Sequence, residues 1–276
     1  MLQGKWYSAI KVRKSRRKFN GKPLEEQLKT KLEKFCKEFN PFSEVRACIV
    51  FKDPESVFRG IIGSYGKVKG APAYIAFIGD MTSPFVHEKL GYVGEAIILE
   101  ATSLGLGTCW IGGFFRREVV AEVIKLHNTE KVLAVTPVGY ADKDYTLEEK
   151  ILAGFASGHK RKSLTELCSG LPWEKWPRWI ECGLEAARLS PSAVNRQPWR
   201  FHVEANSVTV RVDSEKDTFR ISKRLDCGIA MLHFEVGAYV HGIKGKWEFL
   251  NAPQVAKFVK MSQDVQEHPF SSENHN

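Results

Sequence analysis

Hydrophobic residues recur at helical spacing in two stretches of the first half of the chain. Between Leu24 and Phe39 the apolar positions fall three or four residues apart, which predicts an amphipathic helix with Pro23 suited to its first turn. The stretch from Gly91 to Leu104 is apolar nearly all round and is followed by Gly105. We therefore predict a second, buried helix that ends at this glycine.

Short apolar runs around these helices predict strands, because they are bounded by turn residues and are too short for helices. The predicted strands run from Ala47 to Phe51, Tyr74 to Ile78, Val132 to Val138 and Arg200 to Val203. A polar link from Ala141 to Ser169 joins the two halves of the chain, and we expect the polar tail after Met261 to be unstructured.

The second half of the chain repeats parts of the first in two registers. In the first register, Gly21 and Ser43 fall opposite Gly170 and Ser192. In the second register, the matched pairs are Gly91 with Gly228, Ala101 with Ala238, Gly105 with Gly242, Leu106 with Ile243 and Trp110 with Trp247. Chance similarity is the alternative to duplication. If the repeat is real, the halves should pack as a pseudo-twofold pair, with residues 1–158 as the first half, 159–262 as the second and 263–276 as a disordered tail.

The composition of the chain indicates which kind of ligand and which cellular location to expect. The 41 basic and 32 acidic residues give a net charge of +9, which favours phosphate ligands, and the spread of the basic residues favours a small ligand over a polyanion. The six cysteines form no C-x-x-C pair and have no zinc-finger spacing, so we expect reduced thiols and no metal site. Without a signal-like or membrane-spanning apolar stretch, the expected location is cytoplasmic.

Arginine and lysine are concentrated in RKSRRKF, here called the basic segment, which runs from Arg13 to Phe19. Planar guanidinium donors suit phosphate oxygens and flat polar ring edges. A solvated basic surface or a nucleic-acid contact has the same composition, so the segment alone leaves its ligand open.

Two further segments combine turn residues with polar groups. The serine-proline loop, SPSAVNRQPWRF from Ser190 to Phe201, offers hydroxyls and amides before Pro198 forces an extended exit. The glycine-rich segment, GLGTCWIGGF from Gly105 to Phe114, ends in paired glycines at which a ligand can approach the backbone. The alternatives are an ordinary connecting loop and a tight core turn. The chain lacks the strand context and acidic partner of a dinucleotide-binding glycine motif, which excludes a Rossmann site.

Together the three segments resemble the FMN-dependent nitroreductases. RKSRRKF is similar to that family's RRSxRxF signature, SPSAVNRQPWRF to its APSxxNxQPWxF element, and GLGTCWIGGF to its GxGTxWxGGF element. The chain is most similar to the single-chain tandem members. The resemblance implies an α+β sheet-and-helix fold in which two degenerate copies are fused as an intramolecular pseudo-dimer, so that the expected state is a monomer.

In the family each FMN lies between two subunits and takes the basic and glycine elements from one subunit and the serine-proline element from the other. Here the first half reads FNPFSEVRACIVF where the serine-proline loop belongs and lacks its Asn and Gln. The second half reads KGKWEF, from Lys244 to Phe249, where the paired glycines belong, and has no arginine-rich segment directly before its helix. These complementary losses predict one working flavin site and one dead site.

The resemblance also implies which residues contact FMN. Arg13 and Ser15 match phosphate and ribityl contacts, Arg17 matches a cation near the pyrimidine edge, and the backbone N–H of Gly112 matches the donor to flavin N5. The full implied set is Arg13, Lys14, Ser15, Arg17, Gly112 and Gly113 from the first half, Pro191, Ser192, Ala193, Asn195 and Gln197 from the second, and Lys67, Lys160 and Arg161 as additional cations.

The implied activity is that of an FMN-dependent oxidoreductase. NADH or NADPH would deliver hydride to flavin N5, and a small nitroaromatic or quinone-type acceptor would take the electrons. Because the flavin carries this chemistry, no catalytic side chain is predicted, and Asp226, Glu95 and His233 are interpreted as structural polar groups. The alternatives are a flavin-binding module without turnover, a dehalogenase-like flavin enzyme with another acceptor, and a nucleic-acid-binding protein. We expect neither nucleic acid nor membrane as a partner.

Overall fold

The structure is a computed structural model that describes residues 2–59, 68–141, 160–217 and 220–261. The α-helices of these residues are α1 (Leu2–Val12), α2 (Glu26–Glu38), α3 (Pro54–Phe58), α4 (Val86–Ser103), α5 (Arg117–Val123), α6 (Leu164–Leu167), α7 (Arg178–Arg188) and α8 (Lys223–Tyr239). The predicted helices at Leu24 and Gly91 are confirmed as α2 and α4. However, α2 begins at Glu26, so Pro23 lies before the helix and not in its first turn.

No helix is predicted from the sequence at α1, whose residues lead directly into the basic segment. Its apolar residues Trp6, Ala9 and Ile10 nevertheless recur at helical spacing and are buried. Trp6 Nε1 also donates a hydrogen bond of 2.9 Å to Glu100 of α4. α1 is therefore a packed helix that leads directly into Arg13.

Two mainly antiparallel sheets account for the strands of the described residues. The first contains β1 (Val45–Val50), β2 (Ala73–Asp80), β3 (Gly107–Thr108) and β4 (Glu130–Gly139), in the order β1-β2-β4-β3. The second contains β5 (Cys168–Gly170), β6 (Trp199–Glu204), β7 (Ser207–Val212), β8 (Gly245–Phe249) and β9 (Gln254–Lys260), in the order β5-β6-β7-β9-β8. Within these sheets the β5–β6 pair is parallel and the other pairs are antiparallel. Apart from β5, the second sheet repeats the strand order of the first, and the predicted α+β class is confirmed.

The long buried helices α4 and α8 pack directly against each other. A Cβ atom added at Gly91 would overlap the carbonyl oxygen of Leu225, and one added at Gly228 would overlap the carbonyl oxygen of Glu88. The second register of the repeat matches Gly91 with Gly228 and Glu88 with Leu225. The contact is therefore reciprocal, as it is in an isologous interface. The predicted boundary at residue 158 and the predicted tail at 263–276 lie outside the described residues.

The six cysteines are free thiols. No helix of the described ranges combines the length and the apolar character that a membrane crossing requires.

A partly buried carboxyl on α8 contacts residues of both halves. Glu235 of α8 accepts hydrogen bonds of 2.9 Å from the hydroxyl of Tyr92 and from Nε1 of Trp247. Burial raises the pKa of Glu235 to about 7, although both hydrogen bonds favour the ionised form. Below this pH the folded state therefore holds a neutral carboxyl.

Glu235→Gln is expected to make the protein more stable than the wild type above neutral pH. Because the pKa of Glu235 rises from 4.5 to about 7 on folding, the wild type is most stable at low pH, where this carboxyl is protonated, and it loses stability as pH rises through about 7. The free energy of unfolding falls by about 3 kcal/mol once the carboxyl is fully ionised. Urea unfolding at about pH 5 and about pH 8 measures the difference between the two proteins, with the exposed Glu33→Gln as control. A difference that does not change with pH would contradict this account.

Candidate functional site

The basic segment runs alongside the glycine-rich segment. Ser15 forms a parallel bridge with Thr108 of β3, and the backbone N–H of Arg16 donates to Thr108 O at 2.7 Å. Next along the segment, the backbone N–H of Lys69 donates to Arg17 O at 2.9 Å. The backbone of the basic segment is therefore fixed between β3 and the residues that precede β2.

A buried polar cluster surrounds Glu95 of α4. The side chain of Arg13 is 6% exposed, and its Nε lies 3.8 Å from Glu95 Oε1. Trp110 Nε1 donates to Glu95 Oε2 at 2.6 Å, and His233 Nε2 lies 2.9 Å from Glu95 Oε1. Glu95 and His233 are fully buried. One carboxyl group thus joins the basic segment, the glycine-rich segment and α8 of the second half.

The paired glycines of the first half lie against the second half. A Cβ atom added at Gly112 would meet the side chain of Ile221 at 3.3 Å. The carbonyl oxygen of Ile221 accepts a hydrogen bond of 3.0 Å from the guanidinium of Arg196, which belongs to the serine-proline loop. Gly112 and Gly113 are both partly exposed. Ile221 therefore connects the glycine turn with the serine-proline loop.

Asp226, in the first turn of α8, holds the serine-proline loop in place. Its carboxylate accepts hydrogen bonds from Ala193 N at 3.2 Å and from Arg196 Nε at 2.7 Å. Burial raises the pKa of Asp226 to about 6, even though the Arg196 guanidinium opposes the shift. Within the loop, Ser192 Oγ accepts from Gln197 N at 3.0 Å. The loop is consequently tied to the start of α8.

The backbone of this loop is strained. Val194, Asn195 and Gln197 have φ angles of 48°, 56° and 47°, in the left-handed region that residues other than glycine rarely adopt. Such conformations persist only where surrounding contacts impose them, and they are enriched at ligand sites. The strain favours a binding loop over an ordinary connection between helix and strand.

Residues 160–162, which lead into the second half, are hydrogen-bonded to the same loop. Lys160 O accepts hydrogen bonds from Asn195 Nδ2 at 2.9 Å and Gln197 Nε2 at 3.1 Å. Arg161 donates to Asn195 Oδ1 at 2.7 Å, and the backbone N–H of Lys162 donates to Gln197 Oε1 at 2.9 Å. The two amide side chains therefore bring the cations of Lys160 and Arg161 to the serine-proline loop.

The sequence motifs do not identify Lys162, Arg196 and Ile221, which connect the predicted elements. A signal for Lys162 is present, since Arg161, Lys162 and Ser163 repeat the order of Arg13, Lys14 and Ser15. Nothing in the sequence marks Ile221. Among the other predicted residues, Lys14 is exposed and Pro191 is buried, whereas Lys67 lies outside the described residues.

An ion pair closes the corresponding loop of the first half. Glu44 matches Ala193 in the first register of the repeat, and Lys89 matches Asp226 in the second. Lys89 Nζ donates to Glu44 Oε1 at 2.5 Å, and this bond lowers the pKa of the Glu44 carboxyl. The same two positions that hold a backbone N–H against a carboxylate in the second half hold two opposite charges here.

Aromatic rings fill the rest of that region. Phe249 falls opposite Gly112 in the second register, and Phe42 falls opposite Pro191 in the first. The Phe249 ring packs on Phe42 with centroids 5.4 Å apart and on Phe85 with centroids 5.7 Å apart. The position that matches Gly112 of the glycine turn therefore carries a phenylalanine ring that packs on two other rings.

The chain is similar to proteins that are named as nitroreductases. A putative nitroreductase of Methanocaldococcus jannaschii is 41% identical over 61 residues, which cover 22% of this chain and only 29% of that relative. The crystal structure of a putative nitroreductase from Thermotoga maritima has the same fold, with a TM-score of 0.61 and 20% identity over 92% of this chain and 93% of that one. A structure named as an FMN-dependent nitroreductase from Clostridium difficile R20291 has a TM-score of 0.42 and 23% identity, and covers 51% of this chain and 91% of that one.

The family model covers most of the chain. Its description is "Putative TM nitroreductase", and it matches residues 5–238, from α1 to the end of α8. This range includes the basic segment, the glycine-rich segment and the serine-proline loop. The chain therefore belongs to this nitroreductase family.

Proposed function

We propose that the chain binds one FMN between its two halves and uses it to pass electrons from NADH or NADPH to small electron-poor acceptors such as nitroaromatics or quinones. The observation that carries this proposal is the meeting of the three motifs at the α4–α8 contact. Arg13 and Trp110 converge on Glu95 next to His233, and Gly112 contacts Ile221 next to Arg196. Membership of the nitroreductase family supports the same class of reaction.

Two buried polar atoms in these motifs fit an anionic, hydroxyl-bearing cofactor. Arg13 Nε and Ser190 Oγ are buried, and neither has a hydrogen-bond partner among the residues that the structure describes. A buried polar atom without a partner costs about 1–3 kcal/mol, and each such atom calls for an explanation. Phosphate oxygens would satisfy the guanidinium, and a ribityl chain or phosphate would satisfy the hydroxyl. Because one atom lies in each half, the proposed ligand joins them.

The proposed roles follow from the chemistry of the residues. Arg13, Lys160 and Arg161 supply positive charge for the phosphate, and their planar or flexible donors suit its oxygens. Gly112 and Gly113 carry no side chain of their own, which lets a flat ring approach their backbone. FMN, when bound, supplies the two-electron chemistry, so the protein needs to bind, orient and shield it.

One FMN per chain is the proposed stoichiometry. The related region of the first half is closed by the Lys89–Glu44 ion pair and by Phe249 between Phe42 and Phe85. A flavin there would have to displace a packed ring and separate an ion pair whose lysine is buried. The single chain with its repeated sheet order is therefore proposed to act as an asymmetric pseudo-dimer.

Titration of the purified protein with FMN tests the proposal. We expect one FMN to remain bound per chain after ultrafiltration, and anaerobic NADH or NADPH to bleach its visible absorbance. A nitroaromatic or quinone should then restore the oxidised spectrum. No uptake of FMN would contradict the binding site, and two FMN per chain would contradict the closed second region. A bound flavin that neither nucleotide reduces would instead identify a flavin-binding module without turnover.

A further inference from the structure

His233 of α8 has an acceptor next to each ring nitrogen. Nδ1 lies 3.0 Å from Ala186 O, and Nε2 lies 2.9 Å from Glu95 Oε1. A carbonyl oxygen only accepts hydrogen bonds, so Nδ1 carries a proton. If His233 were neutral and Glu95 ionised, the lone pair of Nε2 would face a carboxylate oxygen. One further proton, either on Nε2 or on the carboxyl group, would turn this contact into a hydrogen bond.

This shared proton determines the charge of the buried cluster. With the proton on either partner, Glu95 and His233 are neutral as a pair, because one form is an imidazolium with a carboxylate and the other is two neutral groups. Arg13 then contributes a net charge of one positive unit. Without the proton, the carboxylate would cancel the charge of Arg13. Since the Arg13, Glu95 and His233 side chains are 6%, 0% and 0% exposed, solvent screens this difference only weakly.

We propose that His233 is a positioning residue that pairs with the Glu95 carboxyl and thereby preserves the positive charge of Arg13 for the phosphate of the cofactor. The inference rests on the proposed FMN site. It adds a function for two buried residues that the sequence motifs do not include. His233 also accounts for the link between α4 and α7, because its other nitrogen donates to Ala186, four residues before Ser190.

Three variants separate charge from packing. In His233→Gln the amide still donates to Glu95 but cannot carry the extra proton, so the cluster loses its positive charge. We expect the Kd for FMN to rise by roughly 10- to 100-fold, as for loss of a hydrogen bond to a charged group. In Glu95→Gln the amide accepts from Trp110 and donates to a neutral His233, the cluster charge stays positive, and a several-fold smaller rise is expected. The double variant has the same positive charge and should recover affinity relative to His233→Gln.

A packing role predicts the opposite order. If His233 only fills space, the double variant should bind FMN no better than His233→Gln, and this result would overturn the inference. The exposed His127→Gln serves as a control for histidine loss. Urea unfolding of each variant verifies that the folded state is populated during the titration.

The shared proton has a test that needs no flavin. In the protein without FMN, proton NMR should show a resonance far downfield of the amides that disappears in His233→Gln but not in His127→Gln. Its absence would overturn the inference whether or not FMN binds. If the resonance is present but the wild type takes up no FMN, the proposed cofactor site fails and the proton-sharing pair stands. If the wild type and His233→Gln bind FMN equally, the proposed site stands and the role of His233 fails.

Discussion

Arg13→Ala is expected to weaken FMN binding by about 10- to 100-fold, the range for losing a hydrogen bond to a charged group in a buried site. Arg13 lies against the Glu95 carboxyl, and within the described residues its Nε has no hydrogen-bond partner. Its removal also leaves the Glu95–His233 pair without the adjacent cation. Quenching of FMN fluorescence during titration with the variant measures the effect.

An arginine elsewhere on the surface provides the matched control. Arg178 of α7 has a side chain that is 68% exposed and pairs with Glu181 in the same helix. Arg178→Ala removes one positive charge without touching the cluster, so the Kd for FMN should stay within about twofold, since exposed pairs contribute little. Equal losses in the two variants would mean that net charge, rather than a specific site, governs flavin binding.

A substitution in the second half tests whether both halves contribute to FMN binding. Ser190 Oγ is buried and has no hydrogen-bond partner in the described part of the chain, so Ser190→Ala breaks no hydrogen bond there and should leave stability unchanged or slightly higher. We expect its affinity for FMN to fall nonetheless, by about fivefold to tenfold for one neutral hydrogen bond. Loss in Arg13→Ala together with full affinity in Ser190→Ala would contradict a site shared between the halves.

The sequence was most informative where the signal is local. The periodic apolar positions of α2 and α4 and the turn residues around the strands predict elements that the structure confirms within a few residues. α1 has the same periodicity in Trp6, Ala9 and Ile10, but these positions span little more than one helical turn. The helix is stabilised by packing on α4, a contact that no local pattern shows.

The polar cluster could not be predicted in the same way. Glu95 and His233 are far apart in the chain and meet only because α4 and α8 cross at Gly91 and Gly228. Each residue can be named from the sequence as a polar group in an apolar helix, yet its partner depends on how the two helices align at that crossing. The repeat indicates that the two glycines are equivalent, since they match each other in its second register. It does not indicate the Glu95–His233 contact, because Glu95 falls opposite Leu232 and the contact has no counterpart in the repeat.

Gly91→Ala and Gly228→Ala are each expected to destabilise the protein by about 3 kcal/mol, at the upper end for overpacking. The added Cβ of either variant would overlap a backbone carbonyl oxygen of the facing helix, and a backbone atom cannot move away alone. α4 and α8 would have to separate, which would also pull Glu95 from His233. Urea unfolding measures the loss, and FMN affinity should fall in parallel.

Gly4→Ala is the control, because Gly4 lies in α1 with no atom within 4 Å of an added Cβ. This substitution should stabilise the protein by about 0.5–1 kcal/mol through helix propensity. The double variant Gly91→Ala/Gly228→Ala tests the reciprocity of the contact. If both glycines lie in one contact, a single separation of α4 and α8 makes room for both added Cβ atoms. The double variant should then lose clearly less stability than the two single losses added together. Strict additivity would show that the two close approaches are independent, and would count against a pseudo-twofold contact between the halves.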